Sequence, residues 1–206
     1  MNQRTVKKAD PLNPLWLIGL GNPGPQYAAT RHNAGYWVVD RMMRERQLVF
    51  RRLRFSLLYQ ARLPENAGER PIVFLRWSGY MNESGGALSE LRRRHVLNVQ
   101  DIFVIVDNMD IPPGACRLKR GGGDAGHNGL KSLIRSLGTG DFNRLYIGIG
   151  RPAPGWEVVN HVLGRPSTED MDAMESACRR AATALWALSR GEAFESAAEH
   201  LKPQTP

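Results

Sequence analysis

Five short apolar runs, Leu15 to Ile18, Ser56 to Arg62, Ile72 to Leu75, Ile102 to Val106 and Leu145 to Ile149, alternate with stretches of helical apolar spacing. The helical stretches cover Gly35 to Arg46, Gly85 to His95, Asn128 to Leu137 and Asp170 to Arg190, where Ser167 or Thr168 offers an N-cap and Gly191 a stop. Alternation of this kind restricts the chain to an α/β fold, read as one mixed twisted sheet with helices on both faces. A length of 206 residues with 42% hydrophobic content suits one domain with a proper core. Residues 1–13 are polar and read as a flexible tail, and 14–206 as a single α/β domain.

In such folds ligands sit beyond the carboxyl ends of strands, so the segments after Ile18, Leu75 and Val106 become site walls. The first holds Gly19-Leu20-Gly21-Asn22-Pro23-Gly24 and, further on, Thr30-Arg31-His32-Asn33-Ala34-Gly35. Its glycines let backbone approach a ligand closely, and the amides of Asn22 and Asn33 can converge with the imidazole of His32. Gly19, Gly21 and Gly24 also satisfy a dinucleotide-binding spacing, but Pro23 and Pro25 interrupt any helix opening there. Asp40, the nearest acid for a ribose, lies in a helical pattern rather than at a strand end. The second and third walls add Tyr80-Met81-Asn82, Asp107-Asn108-Met109-Asp110 and Gly121 to Gly129, which contains His127 and Asn128. Side-chain amides offer donors and an acceptor without charge, which suits peptide groups and an ester oxyanion.

Twenty-eight Lys and Arg against twenty Asp and Glu give a net charge of +8, a balance that favours polyanions, nucleic acid first. Cys116 and Cys178 stand far apart in sequence and in no zinc-type pair, so a reducing compartment is the simplest inference. No apolar run approaches a membrane span of roughly 18 residues, and the start carries no apolar signal core, which predicts a cytoplasmic protein.

Taken together, Gly19 to Gly24, Thr30 to Gly35, Tyr80-Met81-Asn82 with Ser84-Gly85, Asp107 to Gly114, Gly121 to Leu130 and Ile147-Gly148-Ile149-Gly150 resemble the bacterial-type peptidyl-tRNA hydrolase family. The resemblance covers nearly the whole chain after Leu15. It implies a cofactor-free enzyme that cleaves the ester between peptide and terminal ribose, with peptidyl-tRNA and tRNA as partners, no obligate protein partner, and a monomeric state. By the same resemblance His32 is the catalytic histidine and Asp107 the carboxylate that orients it. An imidazole, with a model-compound pKa of about 6.5, can take a proton from water at neutral pH.

Asn22 matches the residue that separates a blocked peptidyl nitrogen from the free amine of aminoacyl-tRNA. Asn82, His127 and Asn128 match tRNA and peptide contacts, with Asn82 also a candidate oxyanion donor and Asn128 also a candidate helix cap. Tyr27 and Tyr80 match aromatic positions suited to stacking on the terminal adenine, and Met81 would cover an apolar peptide side chain. Lys119, within Arg117-Leu118-Lys119-Arg120, matches a tRNA phosphate contact.

Departures from the family pattern are Trp77 for a proline, Gly79 for a threonine, Val106 for a histidine, Asn108 for an acid, and Tyr146 for an arginine of the phosphate clamp. An arginine restored at 146 is expected to strengthen that clamp, unless Arg144 or Arg120 has taken it over. The alternative function is a catalytically silent RNA-binding protein on the same scaffold, which retention of His32, Asp107, Asn22 and Asn82 opposes. A metal site of Asp107, Asp110, Asp124 and His127 has irregular spacing and matches no familiar ligand motif, so no metal is expected.

Overall fold

The computed structural model describes residues 13–54, 56–66, 69–95 and 97–203. The N-terminal tail expected from the sequence therefore lies outside the described residues up to Leu12.

Seven strands form one sheet: β1 (Leu15–Gly19), β2 (Arg51–Arg52), β3 (Leu58–Leu63), β4 (Ile72–Trp77), β5 (Ile102–Asn108), β6 (Cys116–Arg120) and β7 (Asn143–Gly148), in the spatial order β2-β3-β4-β1-β5-β7-β6. The central strands β4, β1, β5 and β7 run parallel, while β2, β3 and β6 add antiparallel edges. The helices are α1 (Ala34–Glu45), α2 (Gly85–Arg94), α3 (Asn128–Leu137), α4 (Val158–Val162), α5 (Thr168–Ser189) and α6 (Phe194–Glu199).

Period-two alternation splits the core between the two sheet faces. Leu15 and Leu17 of β1 pack with Val38 and Met42 of α1 and Ala181 and Leu185 of α5. Trp16 and Ile18 face the other way, toward Leu88 and Leu91 of α2 and Leu130 and Leu133 of α3. Strands buried on both faces read as continuous apolar runs, which is why β1, β4 and β5 were visible in the sequence.

Two strands were not. β2 is two exposed residues long, and β6 reads as a basic run because only Cys116 and Leu118 turn inward, with Arg117, Lys119 and Arg120 exposed. The strand expected from Ser56 starts at Leu58, since Ser56 closes a turn by accepting from the Leu58 N–H. Ser167 caps α5 as expected, accepting from the Asp170 N–H at 3.1 Å, and Gly191 follows its end at φ 85°. α3 departs from expectation: its N-cap is His127 rather than Asn128.

The parallel strands direct their carboxyl ends to one edge of the sheet. There the chain leaves β1 toward His32, leaves β4 toward Tyr80 to Asn82, and carries Asp107 near the end of β5. Gly19 to Gly24 opens no helix, because the chain passes through turns after Pro23 and becomes helical only at Arg31, so no helix N-terminus meets the glycines as a dinucleotide site requires. Asp40 lies on α1 against Arg76 at 3.5 Å.

Candidate active site

His32 sits in a single 3-10 turn, Arg31–Asn33, that runs directly into α1. The glycine at 35 permits this placement. A Cβ there would lie 2.2 Å from the Ile105 carbonyl and 2.6 Å from the Leu20 N and O atoms, so only glycine lets the start of α1 rest on the ends of β1 and β5. Asn33 then closes a reciprocal pair with the loop after β1. Its Oδ1 accepts from the Asn22 N–H at 2.8 Å, and its Nδ2 donates to the Asn22 carbonyl at 3.0 Å.

The consequence is contact between His32 and β5. His32 Nδ1 lies 3.0 Å from both Asp107 carboxylate oxygens, and His127 Nε2 lies 3.0 Å from Asp107 Oδ1. The two imidazole rings stand 4.8 Å apart at 44°. Hydrogen bonds fix both tautomers. His127 Nδ1 accepts from the N–H groups of Gly129 and Leu130, at 3.1 and 3.3 Å, so the His127 proton is on Nε2 and is donated to Asp107. For His32, a carboxylate at Nδ1 holds the proton there and leaves the Nε2 lone pair open. Asp107 is 4% exposed. Burial alone would push its carboxyl up, but the charge that His127 and His32 can carry, with their hydrogen bonds, holds it well below the usual carboxylate range.

A cavity of about 350 Å³ opens beside these groups. His32, Asp107, His127 and Asn128 line it together with Tyr146 and an apolar wall of Val158, Val159 and Val162. Asp110 and Asp124 border it too but turn to other partners, Asp110 to Arg151 at 2.5 Å and Asp124 to the Gly126 N–H at 2.8 Å. Ligand-type atoms of His32, Asp107 and His127 do lie within 4.8 Å of one another. The proton on His127 Nε2, however, leaves that nitrogen no lone pair for a metal ion.

Other residues singled out in the sequence take different places. Asn22 is 7% exposed and lies outside the lining of that cavity, yet its Oδ1 accepts from the Met81 N–H at 2.9 Å. That bond orients the amide and leaves Nδ2 as the group free to donate. Met81 is 4% exposed and belongs to the core between the sheet and α2 and α3. Its expected role as cover for a peptide side chain is therefore corrected: it reaches the site through its backbone N–H. Asn82 and Tyr80 are exposed on the turn after β4, with Tyr80 58% exposed. Tyr27 is half-buried in the turn before His32.

Lys119 is exposed on β6 opposite Arg144 of β7, whereas Asp107 is opposite Ile147. Three residues of strand separate the two levels, about 10 Å. Neither Arg144 nor Tyr146 reaches the surface. Arg144 is 0% exposed, its guanidinium donating to the carbonyls of Gly122, Gly123 and Gly140, and Tyr146 is 4% exposed with its hydroxyl accepting from Arg144 Nη1 at 3.1 Å. An arginine at 146 would stand beside that buried cation, so the expected gain from restoring it is withdrawn. Arg120 is held by Glu195 and stacks 3.9 Å above Phe194.

Sequence reasoning named Arg31 within a motif but gave it no role, and it passed over Asn33 beyond its proximity. Arg31 lies between His32 and α4, bonded to main-chain carbonyls 130 and more residues away. Only the adjacency of a long cation to the histidine could have marked it.

Residues 16–205 match the family model described as peptidyl-tRNA hydrolase. The chain is 43% identical over 169 residues to the peptidyl-tRNA hydrolase of Symbiobacterium thermophilum, covering 82% of this chain and 89% of that one. It is 42% identical over 193 residues to that of Cupriavidus necator, covering 89% and 96%. The crystal structure of peptidyl-tRNA hydrolase from Acinetobacter baumannii superposes with a TM-score of 0.84 at 31% identity, covering 94% of this chain and 97% of that one.

Proposed function

The chain belongs to the peptidyl-tRNA hydrolase family, and from that premise we propose how its site performs the hydrolysis. The enzyme cleaves the ester joining a peptide, or an N-blocked amino acid, to the terminal ribose of tRNA. His32 Nε2 takes a proton from a water molecule, which attacks the ester carbonyl. Asp107 holds His32 in the required tautomer and stabilises the imidazolium that forms. The proton then passes to the departing ribose oxygen, which leaves the free acid and tRNA with a vicinal diol.

Asn82 and Asn128 supply amide donors for the tetrahedral oxyanion and the peptide. Asn22 offers its Nδ2 to the carbonyl side of a blocked substrate, while a free α-ammonium would meet only a donor there and be left unpaired. Tyr27 and Tyr80 take the terminal bases, and Lys119 takes a tRNA phosphate. Residues 14–206 act as one catalytic domain, a cytoplasmic monomer by our reading; no helix among the described residues is long and apolar enough to cross a membrane.

The observation that carries this reading is the contact of His32 Nδ1 with both Asp107 oxygens at 3.0 Å beside an open cavity. Single-turnover cleavage of N-blocked aminoacyl-tRNA by wild type and His32→Ala tests it. His32→Ala is expected to lose most of the rate and keep affinity for deacylated tRNA. Near-normal cleavage by the variant would remove His32 as the base.

A further inference from the structure

We infer that Arg31 is a positioning residue that fastens α4, and so seats the valine wall of the cavity opposite His32. The inference rests on the reading of function above. α4 is a poor candidate to hold itself in place. It has five residues, none of them buried, and its N-cap Glu157 makes no side-chain capping bond. Val158 is 47% and Val159 62% exposed, so of the wall only Val162 packs against the core. A helix this short does not persist in water unaided, and the carbonyls of its last turn have no partner within it.

Arg31 meets that end of the helix. Its Nη1 donates to the His161 carbonyl at 3.3 Å and to the Arg165 carbonyl at 3.0 Å, and its backbone N–H donates to the Gly164 carbonyl at 3.1 Å. Nη2 reaches Asp170 at 3.5 Å, at the start of α5. Gly164 lets the chain turn closely off the end of α4, since a Cβ there would lie 2.8 Å from the Asn160 carbonyl. His161 adds a second tie, with Nε2 at 2.9 Å from the Gly150 carbonyl.

A planar guanidinium with several fixed donors suits a cluster of carbonyls, and its positive charge suits a helix C-terminus. The same turn that carries Arg31 carries His32 as the next residue. The histidine and the apolar wall are therefore referenced to one rigid turn. Arg31 has no Nη atom left for substrate: its side chain is 12% exposed and both Nη atoms are engaged.

The test compares Arg31→Lys, Val159→Ala and the double variant on an N-blocked aminoacyl-tRNA with an apolar side chain. A lysine keeps the charge but cannot span the carbonyls. We expect Arg31→Lys to raise KM about tenfold, with kcat within about twofold of wild type, because a displaced wall removes binding common to ground and transition states. The double variant should be no worse than Arg31→Lys alone, since the valine contact is already lost.

Amide hydrogen exchange across residues 158–165 should quicken about tenfold in Arg31→Lys with α1 unchanged, a readout that needs no substrate. Additive effects in the double variant, or unchanged exchange, overturn the inference. So does a salt dependence of tRNA binding made shallower by Arg31→Lys, which would make Arg31 a phosphate contact. Wild-type enzyme that failed to cleave the substrate would sink the functional reading instead, and the exchange measurement would still decide the tether.

Discussion

Replacing Asp107 by asparagine changes one atom of the carboxylate, and the surrounding hydrogen bonds dictate how the new amide must sit. Asp107 Oδ1 receives both His32 Nδ1 and His127 Nε2 at 3.0 Å, while Oδ2 receives His32 alone. His127 cannot change tautomer, because Gly129 and Leu130 donate to its Nδ1. The amide introduced by Asp107→Asn must therefore keep its oxygen toward His127 and turn its NH2 toward His32. His32 Nδ1 is then pressed to accept rather than donate, which moves its proton to Nε2 and removes the base.

Loss of charge adds to the tautomer effect. In the transition state His32 becomes an imidazolium against a buried carboxylate, and breaking a buried pair of that kind costs about 3–5 kcal/mol. The expected loss in kcat is about a thousandfold, bounded above by the two to four powers of ten that a general base contributes in total. KM should change little, since Asp107 is 4% exposed and its oxygens are taken by the histidines. The assay is single-turnover release of an N-blocked amino acid from tRNA at saturating enzyme, with thermal unfolding as a control. His32→Ala combined with Asp107→Asn should be no slower than His32→Ala alone. A kcat for Asp107→Asn within about tenfold of wild type would refute the tautomer argument.

Asn22→Asp should lower the ratio of kcat/KM for blocked over unblocked substrate, because one carboxylate oxygen still accepts from the Met81 N–H while the other replaces a donor with an acceptor for ammonium; an unchanged ratio would take Asn22 out of selectivity. Asp107 stays ionised above about pH 4, since its depressed carboxyl contributes stability that is complete above the unfolded value near 3.9 and lost only as pH falls through the lower folded value. The acid limb of kcat/KM should accordingly carry no proton from Asp107, and a slope near two would place a second proton on the site. Lys119→Ala should flatten the dependence of log K on log salt for deacylated tRNA by about 0.7 to 0.9, with cleavage of a short N-blocked aminoacyl-oligonucleotide unaffected; equal losses on both ligands would move Lys119 into the ester site.

Much of the architecture was legible because burial on both faces leaves a plain signal. β1, β5 and α3 could be read within a residue or two, and ordering them placed His32, Asp107 and the Tyr80 to Asn82 turn at one end of the sheet. What escaped depends on pairing. Only the register of β6 on β7 shows that Arg117 and Lys119 share a face and that Leu118 is core. His127 looked like one more polar contact, yet it caps α3 through Nδ1 and holds Asp107 through Nε2. No local pattern announces a side chain that ends a helix with one nitrogen and orients a carboxylate with the other.

The basic residues show most plainly why charge in a sequence and charge at a surface differ. Arg144 reads in the sequence as a candidate to replace the missing clamp arginine, but β7 is covered on both faces, so its side chain needs a full set of acceptors within the protein. The carbonyls of Gly122, Gly123 and Gly140 provide them. A trans peptide opposes its C=O and N–H, so carbonyls drawn inward at 122 and 123 aim the N–H groups of Gly123 and Asp124 away from Arg144. Lys119 Nζ lies 3.3 Å from the position a Gly122 Cβ would take, on the same loop. The buried arginine thus shapes the loop beside the exposed lysine, and a cation that never meets solvent arranges backbone donors that do. Its removal is expected to act on tRNA affinity through the loop while leaving the His32 and Asp107 pair in place.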